Sequence, residues 1–266
     1  MTVCIGAICE NGEKVVVAAD RMSSVSQPIP VVYEATRAKI IPLTSYCVLL
    51  ASGVVTTLTE FTNYAKPRVQ RERSPKISRI AQILAGCYEE LRKREVDNFF
   101  LKPRNLSFET FYRNFHDFPQ EFASKLDEDI WKYKYPLELL IAGVDPSGGH
   151  LYLIYNPGVE YCFDEIGHCE VGEGAPHAKL TFMSSGYSKD LPLPEVIYMT
   201  YEAKKRAESA PHVGEKTDMA VITKKGTIPL DPLILKKLGE IYEEAREAAL
   251  QKVRSSLKTL DDLLRE

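Results

Sequence analysis

A threonine that becomes the first residue of a chain is a nucleophile that carries its own base. The sequence opens Met1-Thr2-Val3-Cys4-Ile5-Gly6. An initiator Met before so small a residue is normally removed, which would leave Thr2 with a hydroxyl and a free α-amine. That amine, with a reference pKa of about 7.7–8.0, can take the hydroxyl proton directly or through a water. A Met-Thr opening is common, so its meaning depends on what stands around it. The other reactive side chains are six cysteines, Cys4, Cys9, Cys47, Cys87, Cys162 and Cys169. They form no C-x-x-C pair, and Cys162, His168 and Cys169 match no zinc spacing. They read as reduced, buried small hydrophobes, with no metal and no cofactor.

The chain that must position Thr2 is globular in composition. Its side chains are 44% apolar and 27% charged, and 34 Lys+Arg against 37 Asp+Glu leave a net charge of −3. That balance argues against a disordered chain and against a nucleic-acid surface. The longest apolar runs, Val15–Ala19, Cys47–Ala51 and Leu139–Val144, are strand-sized and fall far short of the ~20 residues a membrane helix needs. Polar residues from Glu10 to Lys14 interrupt any secretory leader, so the expectation is a soluble protein of the cytoplasm.

Val3–Cys9 and Val15–Ala19 flank Asn11-Gly12, a hairpin signal, and Lys39–Leu43 with Tyr46–Ala51 repeat the arrangement, giving about four opening strands. Helical periodicity runs from Val54 to about Gln70 and over Ile77–Phe99. The block at about 101–136, rich in aromatics and proline, reads as an insertion with one helix near Glu121–Lys132. Strands resume at Glu138–Val144, His150–Tyr155 and Glu160–Glu170. Helices follow at Ala175–Met183 and Pro194–Ala207, then a hairpin of Thr217–Thr223 with Thr227–Pro229. The last segment, Pro232 to Leu264, is one long amphipathic helix. Hairpin blocks separated by helix pairs predict an α+β fold, a four-layer αββα sandwich in a single domain spanning 1–266, with the insertion and a C-terminal extension at about 231–266. On local sequence alone, Asp20-Arg21 reads as a turn at a strand end. Lys39 reads as an edge-strand lysine and Ser52-Gly53 as a loop before a helix.

In order along the chain, several segments resemble the proteasome β-type and HslV-like family of N-terminal-nucleophile hydrolases. Thr2 through Ala7, Asn11-Gly12 and Val15 through Asp20 match its T-T-x-x-G-x opening and V-x-x-A-A-D strand. Ala38-Lys39-Ile40-Ile41-Pro42-Leu43 is similar to the strand that carries the family's lysine, and Leu50-Ala51-Ser52-Gly53 to its A-G-G. Leu140 through Asp145 with His150-Leu151-Tyr152, then Val171 through Ala178, and Gly214 through Ile222, resemble its later motifs. The resemblance spans most of the chain, with Arg71–Pro136 uncovered, and the chain looks closest to divergent bacterial or archaeal branches.

The resemblance implies a threonine-type peptidase or amidohydrolase acting through an acyl-enzyme. Thr2 would be the nucleophile, Lys39 the cation beside it, Asp20 the carboxylate that orients Lys39, and the Gly53 N–H the oxyanion donor. Ser24 falls where backbone groups hold an extended substrate as an added strand. Ser52 and Glu173 would flank the nucleophile. Glu173 stands where the family has a serine, and a carboxylate there is expected to raise the pKa of the Thr2 amine. Ser209 through Glu215 supplies neither the Asp nor the Ser/Thr that the family carries before its last strand. The implied partners are a peptide or protein substrate and further copies of this chain in a ring or stacked rings. No nucleic-acid or membrane partner is implied, and no ATPase is assigned. The long terminal helix fits docking on a neighbouring copy as well as packing on its own subunit. The same acyl-enzyme would serve a sequence-specific transpeptidase or ligase, and a silent structural subunit would keep the fold without the chemistry.

Overall fold

The computed structural model describes residues 2–25, 31–34 and 39–263. Met1, Ala38 and Leu264, which the sequence reading invoked, lie outside them. The first strands are β1 (Cys4–Cys9), β2 (Lys14–Asp20), β3 (Met22–Val25), β4 (Val31–Glu34), β5 (Ile41–Thr44) and β6 (Cys47–Gly53). Helices α1 (Val55–Arg71) and α2 (Ile77–Val96) follow, then α3 (Phe108–Arg113) and α4 (Gln120–Lys132). Strands β7 (Leu137–Asp145), β8 (Gly148–Tyr155), β9 (Val159–Cys162) and β10 (His168–Val171) lead to α5 (Ala175–Ser184) and α6 (Leu193–Ala207). The chain closes with β11 (Thr217–Thr223), β12 (Gly226–Pro229) and α7 (Pro232–Leu263). It divides into two units, Met1–Ile228 and Pro229–Glu266.

The first unit is mixed α+β with antiparallel sheets. One five-stranded sheet runs β10-β1-β2-β11-β12, a second runs β5-β6-β7-β8-β9, and β3 pairs with β4 in a separate ribbon. Ile8 and Val17 of the first sheet share an apolar cluster with Leu50, Leu140 and Leu151 of the second. The opposite face of the second sheet, through Leu49 and Ile141, packs with Phe61 of α1 and Ile80, Leu84 and Tyr88 of α2. Helices α5 and α6 pack together and against β1, with α5 also on β10 and α6 on β2. Strands covered on both faces have no polar side to alternate with, so Val15 through Ala19 is buried without a break. The β1–β2 turn needs a left-handed backbone at Glu10, Asn11 and Gly12 (φ +51°, +55° and +87°), and the last two are residue types that reach it most easily.

Two strand expectations need correction. Glu160–Glu170 is not one strand: Val159–Cys162 pairs with β8, while His168–Val171 crosses to the other sheet and pairs with β1. The break is a turn at 163–167, closed by the Gly167 N–H on the Phe163 carbonyl (2.8 Å), with Gly167 at φ +83°. The opening also holds six strands rather than four, because β3 and β4 form a ribbon between the two hairpins. The cysteines are free thiols, and five are buried as expected, but Cys162 is exposed on β9; His168 and Cys169 lie on β10. Among the described residues, no group of three His, Cys, Asp or Glu side chains is arranged to hold a metal. Nor is any helix there long and apolar enough to cross a membrane.

The insertion has its own core. Val96, Leu101, Phe111, Leu126 and Ile130 are buried together, ringed by further aromatic side chains. α2 ends at Val96 rather than Phe99 and passes into a π-type turn at Asp97–Leu101, so this cluster begins inside the segment read as helix. In the second unit, α7 is 32 residues long and exposes Leu233, Ile234, Leu250, Val253 and Leu257.

His150 ties the β7–β8 turn to the β9–β10 connection. Its Nδ1 lies 2.6 Å from Asp164 and its Nε2 3.1 Å from Asp145, so the imidazolium is the form that satisfies both carboxylates. The hydrogen bond to Asp164 raises its pKa, burial opposes, and the charges of both carboxylates add to the rise. A raised pKa means stability that is complete below the unfolded value of about 6.5 and lost as pH rises through the folded one. Burial pushes Asp145 up, but hydrogen bonds from Ser147 and the Ile77 N–H outweigh it and hold the carboxyl at about 2. Urea midpoints of the native chain should therefore exceed those of His150→Gln at pH 5, with the margin shrinking towards pH 9. A margin independent of pH would show that His150 is not the charged partner.

Candidate active site

Asp20 ends β2 and is fully buried. Burying an ionised carboxylate is costly unless its lone pairs are filled, and here five donors converge on it. Oδ1 accepts from the Thr2 hydroxyl, from the Val3 N–H at 3.0 Å and from Lys39 Nζ at 2.9 Å. Oδ2 accepts from the Met22 N–H at 2.9 Å and the Gly214 N–H at 3.0 Å. Sheet register supplies this convergence: β1 runs beside β2, so residues 2 and 3 return next to residue 20, and β11 sets Thr217 opposite Asp20 from the other side. Arg21 locks the same strand end with a two-pronged bond to Asp218, Nε at 2.8 Å and Nη2 at 2.5 Å.

Lys39 approaches just before β5, with its side chain only 11% exposed. Its ammonium donates to the Thr2 hydroxyl oxygen as well as to Asp20. The structure thus brings Thr2, Asp20 and Lys39 into one mutually bonded group, although 37 residues separate the ends of the set. The ammonium favours an alkoxide on that oxygen, while the carboxylate that accepts its proton opposes one. The neighbouring thiol does not compete with it, because burial pushes Cys4 up to about 12.

The backbone of Thr2 is wrapped by the turn before α5. The Gly174 N–H lies 3.3 Å from the Thr2 carbonyl. Gly172 holds φ +95°, and a Cβ there would stand 2.3 Å from that carbonyl and 3.0 Å from Ser52 Oγ. Only glycine fits so close an approach. The Gly172 N–H is held by Glu138 Oε2 at 3.1 Å. Ser52 is buried and Gly53 ends β6 at φ +139°, where a Cβ would collide with the Pro136 carbonyl at 2.1 Å. A cavity of about 830 Å³ opens beside them, walled by Gly53, Tyr135, Leu137, Tyr155, Gly172 and Glu173.

The remaining predicted residues take other positions. Glu173 is exposed and its carboxylate lies 3.5 Å from His212 Nδ1, a neighbour that the sequence reading had not connected with it. Ser24 lies on β3, whose one described partner is β4, with Ser24 opposite Val32. Four contributors escaped the sequence reading. Val3, Met22 and Gly214 act through their N–H groups, so none of them carries a side-chain signature. Glu138 is the second residue of β7, a strand recognised only for its apolar run. No protein-family model matches the chain, and no curated protein matches it.

Proposed function

We propose that the chain is a threonine-type amide-bond hydrolase with the four-layer αββα sandwich of the N-terminal-nucleophile hydrolases. The observation that carries this reading is the Thr2 hydroxyl shared between Lys39 Nζ and the buried carboxylate of Asp20. Cleavage of the Met1–Thr2 bond frees the Thr2 amine. The amine, directly or through a water, takes the hydroxyl proton while Oγ1 adds to the substrate carbonyl carbon. Lys39 stabilises the alkoxide, Asp20 aims Lys39, and the Gly53 N–H receives the oxyanion. Collapse expels the leaving amine with the proton from Thr2 and leaves an ester on Oγ1, which water then hydrolyses. Ser24 and the strand β3 would hold the extended peptide by its backbone.

An amine in place of water would resolve the same ester as a new amide. The cavity beside Gly53 and Gly172 offers room for such an acceptor, which is the observation that favours this second reading. Exposed apolar residues along α7 support self-assembly as the setting of the activity.

The decisive experiment is intact mass spectrometry with and without a peptidyl epoxyketone, a probe that needs both the hydroxyl and the amine of one residue. Loss of Met1 and a single adduct on Thr2, absent from Thr2→Ala, is the expected result. Retained Met1, or equal labelling of the variant, overturns the proposal and leaves the silent-subunit reading. Adding an amine-bearing peptide to the active enzyme then separates hydrolysis from ligation by the products.

A further inference from the structure

α6 buries a lysine completely. Lys204 has 0% exposure and sits on the inward face with Val196, Thr200 and Ala207. A buried ammonium is tolerated only where its donors are met. Lys204 Nζ donates to Glu208 Oε1 at 2.5 Å and to the Glu215 carbonyl at 2.6 Å. Glu215 follows Gly214, whose N–H closes the donor ring on Asp20 Oδ2. Lys204 itself therefore reaches the site through one turn of backbone. This is the stretch, 209–215, that lacks the polar side chains the resemblance led us to expect, so a buried cation and a backbone amide stand where side-chain groups were anticipated.

The charged groups around Lys204 are few. From α6 come Glu208, at the helix end, and Lys205, which holds the other Glu208 oxygen at 2.6 Å. From the turn comes Glu215, and from β2 comes Asp20, close enough to favour the charged lysine. Elsewhere on that turn His212 pairs with Glu173 and Lys216 with Glu34. Burial lowers the pKa of Lys204, and the bond to Glu208 opposes that shift.

We infer that Lys204 is a positioning residue for the reaction at Thr2. Its ammonium holds the Glu215 carbonyl so that the Gly214 N–H stays on Asp20, and the Lys204–Glu208 pair sets the charge felt by the Asp20–Lys39–Thr2 group. The inference rests on the reading of Thr2 as nucleophile. It requires that two substitutions on one pair act in opposite directions. Lys204→Met leaves the Glu208 carboxylate behind, favours the protonated form of the catalytic base and moves the ascending limb of the pH profile up. Glu208→Gln leaves the cation behind and moves that limb down.

The test is the pH dependence of kcat/KM for the native enzyme, Lys204→Met, Lys204→Arg and Glu208→Gln, with epoxyketone labelling of Thr2 measured in parallel. Lys204→Met should lose about 10–100-fold in kcat with KM little changed, as misplacement of a catalytic group does. Its limb should rise by about half a pH unit or more, the scale of one unit charge in a poorly solvated site. Lys204→Arg should return the limb towards its native position. If Lys204→Met does not fold, a downward limb in Glu208→Gln still supports the inference, and an unmoved or upward one overturns it. A native enzyme with no label on Thr2 overturns both this inference and the nucleophile assignment. A labelled, active native enzyme whose variants keep the native limb, or move it in the same direction, overturns this inference alone.

Discussion

Thr2→Ala should abolish amide hydrolysis, lowering kcat/KM by about 10³-fold or more, while Thr2→Ser keeps a measurable rate. Removing the hydroxyl takes away the atom that becomes the ester oxygen, and no neighbour can replace it, since burial keeps the Cys4 thiol protonated up to about 12. The same change should cost little stability. Asp20 retains four donors, and Lys39 retains its bond to Asp20 at 2.9 Å, so no buried charge is left alone. The pairing of lost turnover with unchanged urea midpoints distinguishes a nucleophile from a packing residue. Turnover within tenfold of native in Thr2→Ala would remove Thr2 from the mechanism.

Asp20→Ala should damage both properties at once. The buried carboxylate answers five donors, one of them the largely buried ammonium of Lys39. Taking away one partner of a buried ion pair typically costs about 3–5 kcal/mol, because the other charge is left unpaired in a poorly solvated site. Turnover should fall by at least about 100-fold, since Lys39 loses the group that aims it at Thr2. Asp20→Asn is the isosteric variant. It preserves shape, but its NH₂ must face donors on either side, the two amides of Met22 and Gly214 or the three groups of Thr2, Val3 and Lys39. Both variants are therefore expected to be destabilised in denaturant titrations and nearly inactive. A loss of under about 1 kcal/mol in Asp20→Ala would mean that Lys39 finds solvent or another partner, and the convergence on Asp20 would not be what holds the site together.

Much of the fold was legible in the sequence because periodicity is local. The Asn11-Gly12 turn, the apolar runs of β2, β6 and β7, and the helices α1, α2, α5 and α6 each depend on residues a few positions apart. Pairing is a different matter. Nothing in Glu160–Glu170 says that its two halves join different sheets, because the choice is made by the edges that β8, next to it in the chain, and β1, far from it, leave open. The ribbon of β3 and β4 was missed for a related reason, since each strand is only four residues long and neither shows a clear alternation or a run of more than three apolar residues.

The site divides along the same line. Which reactive types are present, and in what order, is written in the chain: a threonine at position 2, an aspartate ending an apolar strand, a lysine before the next hairpin, and glycines where the backbone must crowd. Tertiary structure alone decided that Lys39 and Asp20 meet on one hydroxyl. It also decided that Glu173 is answered by His212, that Gly172 leaves space for the Thr2 carbonyl, and that Lys204 is sealed from water. The physical reason is that hydrogen bonds to backbone groups and the burial of a charge are properties of place. An N–H such as that of Gly214 belongs to every residue except proline, and only the fold selects the one that faces a carboxylate.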